Sequence, residues 1–266
     1  MAIKFVIKSN GTKVAFDRGK IVETCVRAGL DTRTAKEIAE FAERTLPDGA
    51  TTHQIYDLVM EEIEKRNPKS AALFGLRDAI ADLDSESFER YTRAVLEAHG
   101  WRCAWNQVIP GRSVEHQVDV VAQKGEETWL VECKRHFNPH RWCGLDVMLQ
   151  VQARLEDLRD GSFDRKNKYT WTGAWIWTNT KFSEHAKTYA NAKAVRMTGW
   201  RSGEFGLERL VEAKKVWPVT MLKLDLMTKA KLLSAHIVTV QDILVSKKPA
   251  LPNWTDIVTQ AKALIK

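Results

Sequence analysis

Three charged residues interrupt two apolar runs that have the composition of β-strands. The runs are VDVV and TWLVECK, and they carry Asp119, Glu132 and Lys134 at positions where packing residues are usual. Carboxylates that face each other across two strands repel, so the pair requires an explanation. A hard divalent cation takes oxygen ligands and would remove the repulsion, while a neighbouring ammonium would stabilise a phosphate under attack. The trio therefore indicates metal-assisted hydrolysis of a phosphodiester bond.

A hairpin would bring these three residues together. With KGEE (residues 124–127) as its loop, counting back along both strands sets Asp119 directly opposite Glu132. Lys134 follows Glu132 by two residues and projects from the same face. A second interpretation is structural, with Lys134 bridging the two acids on an exposed sheet face. The opposite face is predicted to be packed by Val118, Val120, Val131 and Cys133.

The order of these residues resembles a known nuclease core. Asp119 followed by Glu132-Cys133-Lys134 is similar to the D…ExK core of the PD-(D/E)XK nuclease superfamily. The preceding FERYTRAVLEAHGW and the later WIWTNTKFSEHAKTYA and VRMTGW resemble Mrr-type restriction endonuclease domains, over about residues 85–218. The resemblance implies that Asp119 and Glu132 bind Mg²⁺ or Mn²⁺, that Lys134 is catalytic, and that the substrate is DNA, in the first instance double-stranded.

Three further residues acquire a role from the same resemblance. Glu89, on the helix that opens this domain, would complete the metal shell. Gln150 or Gln152, on the helix after the ECK strand, resembles the glutamine that contacts the attacking water. For each of the three, the alternative is an ordinary solvated helix residue.

The elements predicted around this core form a mixed sheet flanked by helices. Asp84-Ser85 caps the first helix, three strands follow as a meander, and helices then alternate with the strands TGAWIWTNT and AVRMTGW. Residues 219–266 are predicted to be a short helical appendix. The fold class is therefore α/β, or α+β overall, with a restriction-endonuclease-like sheet. The alternating tryptophans Trp171, Trp175 and Trp177 are expected to pack the core of that sheet rather than to stack on bases.

Residues 1–84 are predicted to form a separate domain of a β-hairpin and a helical bundle. IKFVIKSNGTKVAFD contains two short strands around an Asn-Gly turn, and four helical stretches follow. VIKSNGTKVAFDRGKI and the later HQIYDLVMEEIE resemble the ATP cone, a nucleotide-binding regulatory module. The resemblance implies that ATP or dATP binds as an effector and that the domain assembles a homo-oligomer. The residues it assigns to the purine nucleotide are Lys8, Ser9, Asn10, Gly11, Lys20 and Thr52.

Composition and charge narrow the class of protein. Apolar residues make up 44% of the 266, no run approaches a membrane span, and the first residues lack the pattern of a signal peptide. We therefore expect a globular cytoplasmic protein without a membrane partner. Residues 1–84 contain 13 Lys/Arg against 14 Asp/Glu, which leaves 28 against 20 for the remainder. The basic surplus lies entirely beyond residue 84 and suggests a polyanionic partner.

Together these observations predict a Mg²⁺-dependent DNA endonuclease that is regulated by ATP or dATP and acts in restriction, defence or DNA repair. The alternative is a catalytically weak nucleic-acid-binding regulator whose ATP cone drives oligomerisation. The complete set of Asp119, Glu132 and Lys134 favours the enzyme, because a protein that only binds has no need of opposed acids.

Overall fold

Helices surround a sheet in each of the two units into which the chain divides. The computed structural model describes residues 3–8, 10–138, 141–246, 251 and 253–265. The units span Met1–Leu76 and Arg77–Lys266. The fold is mixed α/β, as predicted, with helices at its C-terminal end. Within these described ranges, no helix is both long and apolar enough to cross a membrane.

The first unit opens with the predicted hairpin. Strands β1 (Phe5–Ile7) and β2 (Lys13–Ala15) pair antiparallel, and the turn between them closes with the Lys8 N–H donating to the Thr12 carbonyl at 2.9 Å. A third strand, β3 (Ala50–Thr51), pairs parallel to β1. It was not predicted, because two residues are too few to show an alternating pattern.

Four helices follow in the sequence, and two of them begin directly after a residue whose side chain caps the helix. The Asp31 carboxylate accepts from the backbone N–H groups of Arg33 and Thr34 at 3.0 Å each. Thr51 and Gln54 form a capping box at the start of the third helix. Apolar side chains of the helices and of β1 share one core. The helices are α1 (Arg18–Arg27), α2 (Thr32–Thr45), α3 (Thr52–Arg66) and α4 (Pro68–Ala81).

A mixed five-stranded sheet organises the second unit. Its strands are β4 (Arg102–Pro110), β5 (Glu115–Lys124), β6 (Glu127–Lys134), β8 (Gly173–Thr178) and β10 (Arg196–Thr198). The first three form an antiparallel meander, whereas β6, β8 and β10 run parallel, and the order across the sheet is β10-β8-β6-β5-β4. Two short strands, β7 (Trp142–Cys143) and β9 (Lys181–Phe182), pair parallel with each other after β6 and β8.

Helices pack on both faces of this sheet. The helices of the second unit are α5 (Ser85–Ala98), α6 (Leu145–Phe163), α7 (Glu184–Lys193), α8 (Leu207–Lys214), α9 (Leu226–Ser234), α10 (Val240–Val245) and α11 (Trp254–Ile265), with 3₁₀ turns at Gly203–Phe205 and Val219–Met221. As predicted, the Asp84 carboxylate caps α5 by accepting from the Ser87 N–H at 2.7 Å. Helix α5 buries Phe88, Tyr91 and Val95. Helices α6 and α7 build a separate core with β5, β6 and β8.

The tryptophans near β8 belong to the core, as the sequence favours. Trp171, Trp175 and Trp177 are 6%, 3% and 0% exposed. Trp175 lies edge-on against Trp101, with 5.4 Å between ring centroids, and donates to the Thr198 hydroxyl at 2.9 Å. These rings are therefore not accessible to nucleic-acid bases.

Candidate active site

Strands β5 and β6 form the predicted hairpin in the predicted register. Gln123 faces Thr128, and the ladder continues to Val120 opposite Val131, where it ends. The turn is two residues shorter than predicted, because pairing extends one residue further on each strand. The next residue on each strand is one of the two predicted metal-binding acids. Both acids therefore lie where the two strands part.

Asp119 lies at an irregularity of β5. Strand β4 pairs with β5 on both sides of Asn106 but not at Asn106 itself, whose φ is +50°. The pairing keeps one register across this gap, yet Val118 packs in the core of α6 together with Val121 rather than on the face of Val120. The prediction for Val118 was therefore wrong. The Asp119 carboxylate accepts a 2.7 Å hydrogen bond from the backbone N–H of Cys133, where a regular ladder would use a backbone carbonyl.

Glu132 is almost buried and is paired with two basic side chains. Its side chain is 6% exposed, and Oε1 accepts from Lys134 Nζ at 2.7 Å. Its Oε2 accepts from Arg154 Nη1 at 2.5 Å. The first contact shows that Lys134 and Glu132 project from the same face, as predicted. Arg154 also donates to the carbonyl of Gln117, so one side chain of α6 contacts both strands of the hairpin.

Burial and like charge raise the pKa of two acids of this site, Asp119 and Glu89. Burial, together with repulsion from Glu132 and from Glu89, raises the pKa of Asp119 to about 7. Burial also raises the pKa of Glu89, again with repulsion from Glu132. For Lys134, burial acts to lower the pKa, but the hydrogen bond with Glu132 and the attraction of both acids outweigh it, so the pKa is raised. A cation bound here would therefore favour the ionised forms of Asp119 and Glu89.

Glu89 is fixed in position by an aromatic neighbour. Trp105 Nε1 donates to Glu89 Oε2 at 3.2 Å, and the guanidinium of Arg90 lies 3.7 Å above the Trp105 ring. Arg90 is itself paired with Glu86 at 2.9 Å. The repulsion between Glu89 and Glu132 shows that α5 brings a third acid towards the pair, where it stays a predicted ligand.

The two glutamines of α6 lie on different sides of the helix, because residues two positions apart do not share a helix face. Gln152 donates to Glu156 at 2.9 Å. The exposed Gln150 precedes Arg154 by four residues and shares its side of the helix. Because Arg154 reaches Glu132, Gln150 is the better placed of the two to contact a water near the carboxylates.

The donor set fits a hard divalent cation with few protein ligands. Among the residues that the structure describes, no three His, Cys, Asp or Glu side chains are grouped closely enough to hold a metal by themselves. Asp119 and Glu132 offer only oxygen, which suits Mg²⁺ or Mn²⁺ with water completing the shell. The raised pKa of Asp119 marks the charge that such a cation would neutralise.

Arg154 was not predicted from the sequence, although a signal was present. The residue lies on the buried stripe of α6, between Val151 and Leu158 at helical spacing. A charged residue in an apolar stripe requires a buried partner, because an unpaired buried charge is costly. The partner could not be named without the packing of α6 on the sheet.

A cavity of about 270 Å³ lies in the first unit. Lys8, Lys20 and Thr52, three of the residues assigned to the nucleotide, line it. Tyr56 and Phe74 also line it, with their ring centroids 5.0 Å apart. An apolar and aromatic wall with a few polar groups is typical of sites for small ligands.

Two of the other residues assigned to the nucleotide, Asn10 and Gly11, do not line this cavity. Asn10 and Gly11 form the turn of the hairpin, where Gly11 has a φ of +80° that favours glycine. Ser9 lies outside the described residues. Asp17 does line the cavity and pairs with Lys20 at 3.7 Å, so a bound phosphate would compete with this carboxylate.

Comparison with known proteins agrees with both resemblances. Residues 80–202 match the Mrr-type catalytic family described as restriction endonuclease, and residues 4–74 match the ATP cone domain. The chain is an ATP cone domain joined to an Mrr-type restriction endonuclease domain. The carboxylates of the β5–β6 hairpin therefore lie in the Mrr-type domain, and the cavity lies in the ATP cone.

Two relatives of this ATP cone–Mrr chain carry no stated activity. An uncharacterized protein of Archaeoglobus fulgidus is 37% identical over 150 residues, which span 56% of this chain and 81% of that protein. The crystal structure of a protein of unknown function is similar with a TM-score of 0.58 at 31% identity, covering 68% of this chain and 98% of that one.

Proposed function

We propose that the chain is a Mg²⁺-dependent endonuclease that hydrolyses phosphodiester bonds of DNA. The observation that carries the proposal is the group formed where β5 and β6 part. Lys134 Nζ lies 2.7 Å from Glu132. The Asp119 carboxylate accepts a hydrogen bond from the backbone N–H of Cys133, the residue between those two in the sequence. A surface ion pair would not need a second acid whose pKa is raised to about 7. We place the activity in restriction, defence or DNA repair.

Each residue of the group has a separate task. Asp119 and Glu132 would hold the cation, which when bound activates water and neutralises charge on the phosphate. Lys134 keeps its proton on Nζ because its pKa is raised, so it donates hydrogen bonds to the phosphate rather than accepting a proton. Arg154 pairs with Glu132 and would compete with the cation for this carboxylate, and Gln150 would orient the attacking water.

The charge of the chain beyond the ATP cone supports a DNA substrate. Residues 85–266 carry 28 Lys/Arg against 20 Asp/Glu, whereas residues 1–84 are almost neutral. A basic surface raises the affinity for any polyanion by releasing its counterions. The acids of the site repel the DNA phosphates locally, and a bound cation would offset this repulsion.

We further propose that ATP or dATP regulates cleavage through the ATP cone. Lys8 and Lys20 would contact the phosphates, and Thr52 the base or sugar, at the cavity that all three line. A nucleotide shifts an equilibrium only when it binds one state more tightly than another. The proposed states are oligomers of the chain that contain different numbers of copies.

Cleavage of a DNA panel tests the proposal. Linear, supercoiled, methylated and branched DNAs are incubated with Mg²⁺ or Mn²⁺, with and without ATP or dATP. Asp119→Ala and Glu132→Ala should abolish cleavage and leave DNA binding intact or tighter, because an acid near the phosphate is removed. Glu126→Ala, at the exposed tip of the same hairpin, is the matched control and should cut normally.

Two results would contradict this assignment. Cleavage at the wild-type rate by either acid variant would place the active site elsewhere. Binding of DNA without cleavage under every condition would favour the alternative, a nucleic-acid-binding regulator whose ATP cone drives oligomerisation.

A further inference from the structure

Two large aromatic side chains are exposed shortly after the catalytic strand. Phe137 is 82% exposed and Trp142 is 52% exposed. Both lie in the segment that leads from Lys134 to α6, which we name the aromatic segment (described residues 135–138 and 141–143). Single exposed apolar residues are common on protein surfaces. Two exposed rings that follow Lys134 within eight residues are a candidate surface for a ligand of the site.

The aromatic segment is anchored at both ends to the chain that follows β8. The His136 N–H donates to the Asn179 side chain at 2.8 Å, and the Asn179 amide donates back to the His136 carbonyl at 2.8 Å. Trp142 pairs with Lys181 in the small sheet of β7 and β9. The rings therefore lie beyond the carboxyl ends of the parallel strands β6 and β8, which is where open α/β sheets bind their ligands.

Basic side chains accompany the rings. From Lys134 to Gly144 the chain carries three Lys/Arg and no Asp/Glu. Arg141 and Lys181 are exposed, and the guanidinium of Arg135 lies 5.4 Å from the centroid of the Phe137 ring. Cations interleaved with aromatic rings match a nucleic acid whose phosphates and base faces are both accessible.

We propose that Phe137 and Trp142 stack on unpaired bases of DNA. The preferred substrate of the site would then be DNA with unpaired bases beside the scissile phosphate, as in a flap, a bulge or a branch. This inference rests on the proposed nuclease function. In a regular duplex each base face is covered by the neighbouring base. The protein would then bind the duplex only through contacts of its basic side chains with the phosphates. Exposed rings gain contact area only from base faces that are free.

DNA binding by the full chain in EDTA tests the inference, because it separates recognition from cleavage. A labelled duplex is compared with the same duplex carrying a short unpaired bulge that contains 2-aminopurine, whose fluorescence falls when it stacks. We expect the bulged DNA to bind about tenfold more tightly, as for other aromatic platforms. The fluorescence of the bulge should fall on binding.

Matched variants assign the effect to the two rings. Phe137→Ala combined with Trp142→Ala should abolish the preference and the fluorescence change, while duplex affinity and its salt dependence stay the same because the cations remain. Trp142→Phe keeps a ring and should retain most of the preference. Phe163→Ala is the control, since Phe163 is 83% exposed at the far end of α6, a helix roughly 28 Å long.

Each outcome separates this inference from the proposed function. A wild-type protein that cuts duplex DNA but shows no preference for the bulge, or a double variant that keeps the preference, would overturn the inference and leave the nuclease assignment intact. Absence of any DNA binding or cleavage would overturn both. If the double variant instead converts a dimer into a monomer in sedimentation and keeps the DNA preference, the rings form a contact between copies of the chain and the inference fails.

Discussion

The backbone N–H of Cys133 donates a 2.7 Å hydrogen bond to Oδ2 of Asp119. A carboxylate here makes the bond that a backbone carbonyl makes elsewhere in the ladder between β5 and β6. Because Cys133 lies between Glu132 and Lys134, this bond fixes Asp119 relative to both other members of the group. The irregularity of β5 is therefore part of the construction of the site.

Replacing Asp119 with asparagine should remove a pH dependence of stability. The pKa of Asp119 is about 7 in the folded protein, above its ordinary value of 3.8, so the folded chain holds a proton that the unfolded chain has lost. Between about pH 4 and pH 7, the wild type therefore loses stability as the pH rises, by at most about 4 kcal/mol. Asp119→Asn keeps an acceptor for the Cys133 N–H but cannot ionise, so it should be more stable than the wild type above about pH 7.

Urea unfolding followed by tryptophan fluorescence measures this difference. All ten tryptophans follow residue 76, so the signal reports the second unit alone. In EDTA, the gain in unfolding free energy of Asp119→Asn over the wild type should grow from about pH 5 to about pH 8. Glu126→Gln, at the exposed hairpin tip, should show no such growth. A constant difference would mean that Asp119 is ionised in the folded protein across this range.

Replacing Lys134 with methionine should separate metal binding from turnover. Methionine keeps the aliphatic stem but loses the charge, and Glu132 retains its contact with Arg154. Calorimetry should show Mg²⁺ bound, whereas single-turnover cleavage should fall by roughly a hundredfold or more, as when an electrostatic donor is removed elsewhere. Loss of Mg²⁺ together with activity would show that Lys134 organises the acids instead.

Arg154→Met tests whether the arginine competes with the cation. Arg154 lies 2.5 Å from Glu132 and occupies one of its oxygens, so removing its charge should leave the carboxylate more attractive to Mg²⁺. At about pH 8.5, where Asp119 is ionised, we expect Mg²⁺ affinity without DNA to rise several-fold. Arg159→Met, on the same helix, is the control because Arg159 donates to the carbonyl of Thr172 instead. A lower affinity would make Arg154 a positioning residue that Mg²⁺ binding requires.

Strand alternation explains which parts of the site could be predicted. Lys134 lies on the face of Glu132 because side chains two residues apart in a strand share a face, and the contact at 2.7 Å follows from that rule. The position of Val118 did not follow from it. Asn106 on the neighbouring strand β4 has a positive φ beside this irregularity, and asparagine adopts this conformation at few of its positions, so the sequence pattern did not indicate it.

Contacts that depend on how elements pack could not be predicted from the sequence. Arg154 reaches Glu132 across 22 positions of the chain, and the contact depends on how α6 crosses the sheet. The strand β3 consists of two residues, and only its pairing with β1 distinguishes it from a loop. Pattern reasoning succeeds for elements that are long or strictly periodic, because there the local and tertiary preferences agree.

Two variants of the ATP cone cavity should change nucleotide affinity in opposite directions. Lys20 lines the cavity and is paired with Asp17 at 3.7 Å. If the phosphates of ATP or dATP bind at Lys8 and Lys20, Lys8→Ala combined with Lys20→Ala should weaken nucleotide binding roughly tenfold or more. Asp17→Asn should tighten it, because the carboxylate competes with phosphate for Lys20 and repels it. A cavity that binds only an uncharged aromatic ligand would respond to neither change.

Equilibrium dialysis of ATP and dATP against the full chain measures these affinities, and light scattering with the cleavage assay measures their consequence. Lys36→Ala is the matched control, because Lys36 is exposed on α2 and does not line the cavity. Regulation requires that nucleotide favour one assembly over another, so the variants should shift the nucleotide concentration at which oligomeric state and cleavage rate change, in the same order as their affinities. If neither ATP nor dATP binds at millimolar concentration, the proposal of nucleotide regulation fails while the nuclease assignment stands. If nucleotide binds with equal affinity before and after any change of assembly, the cone binds a nucleotide that does not control cleavage.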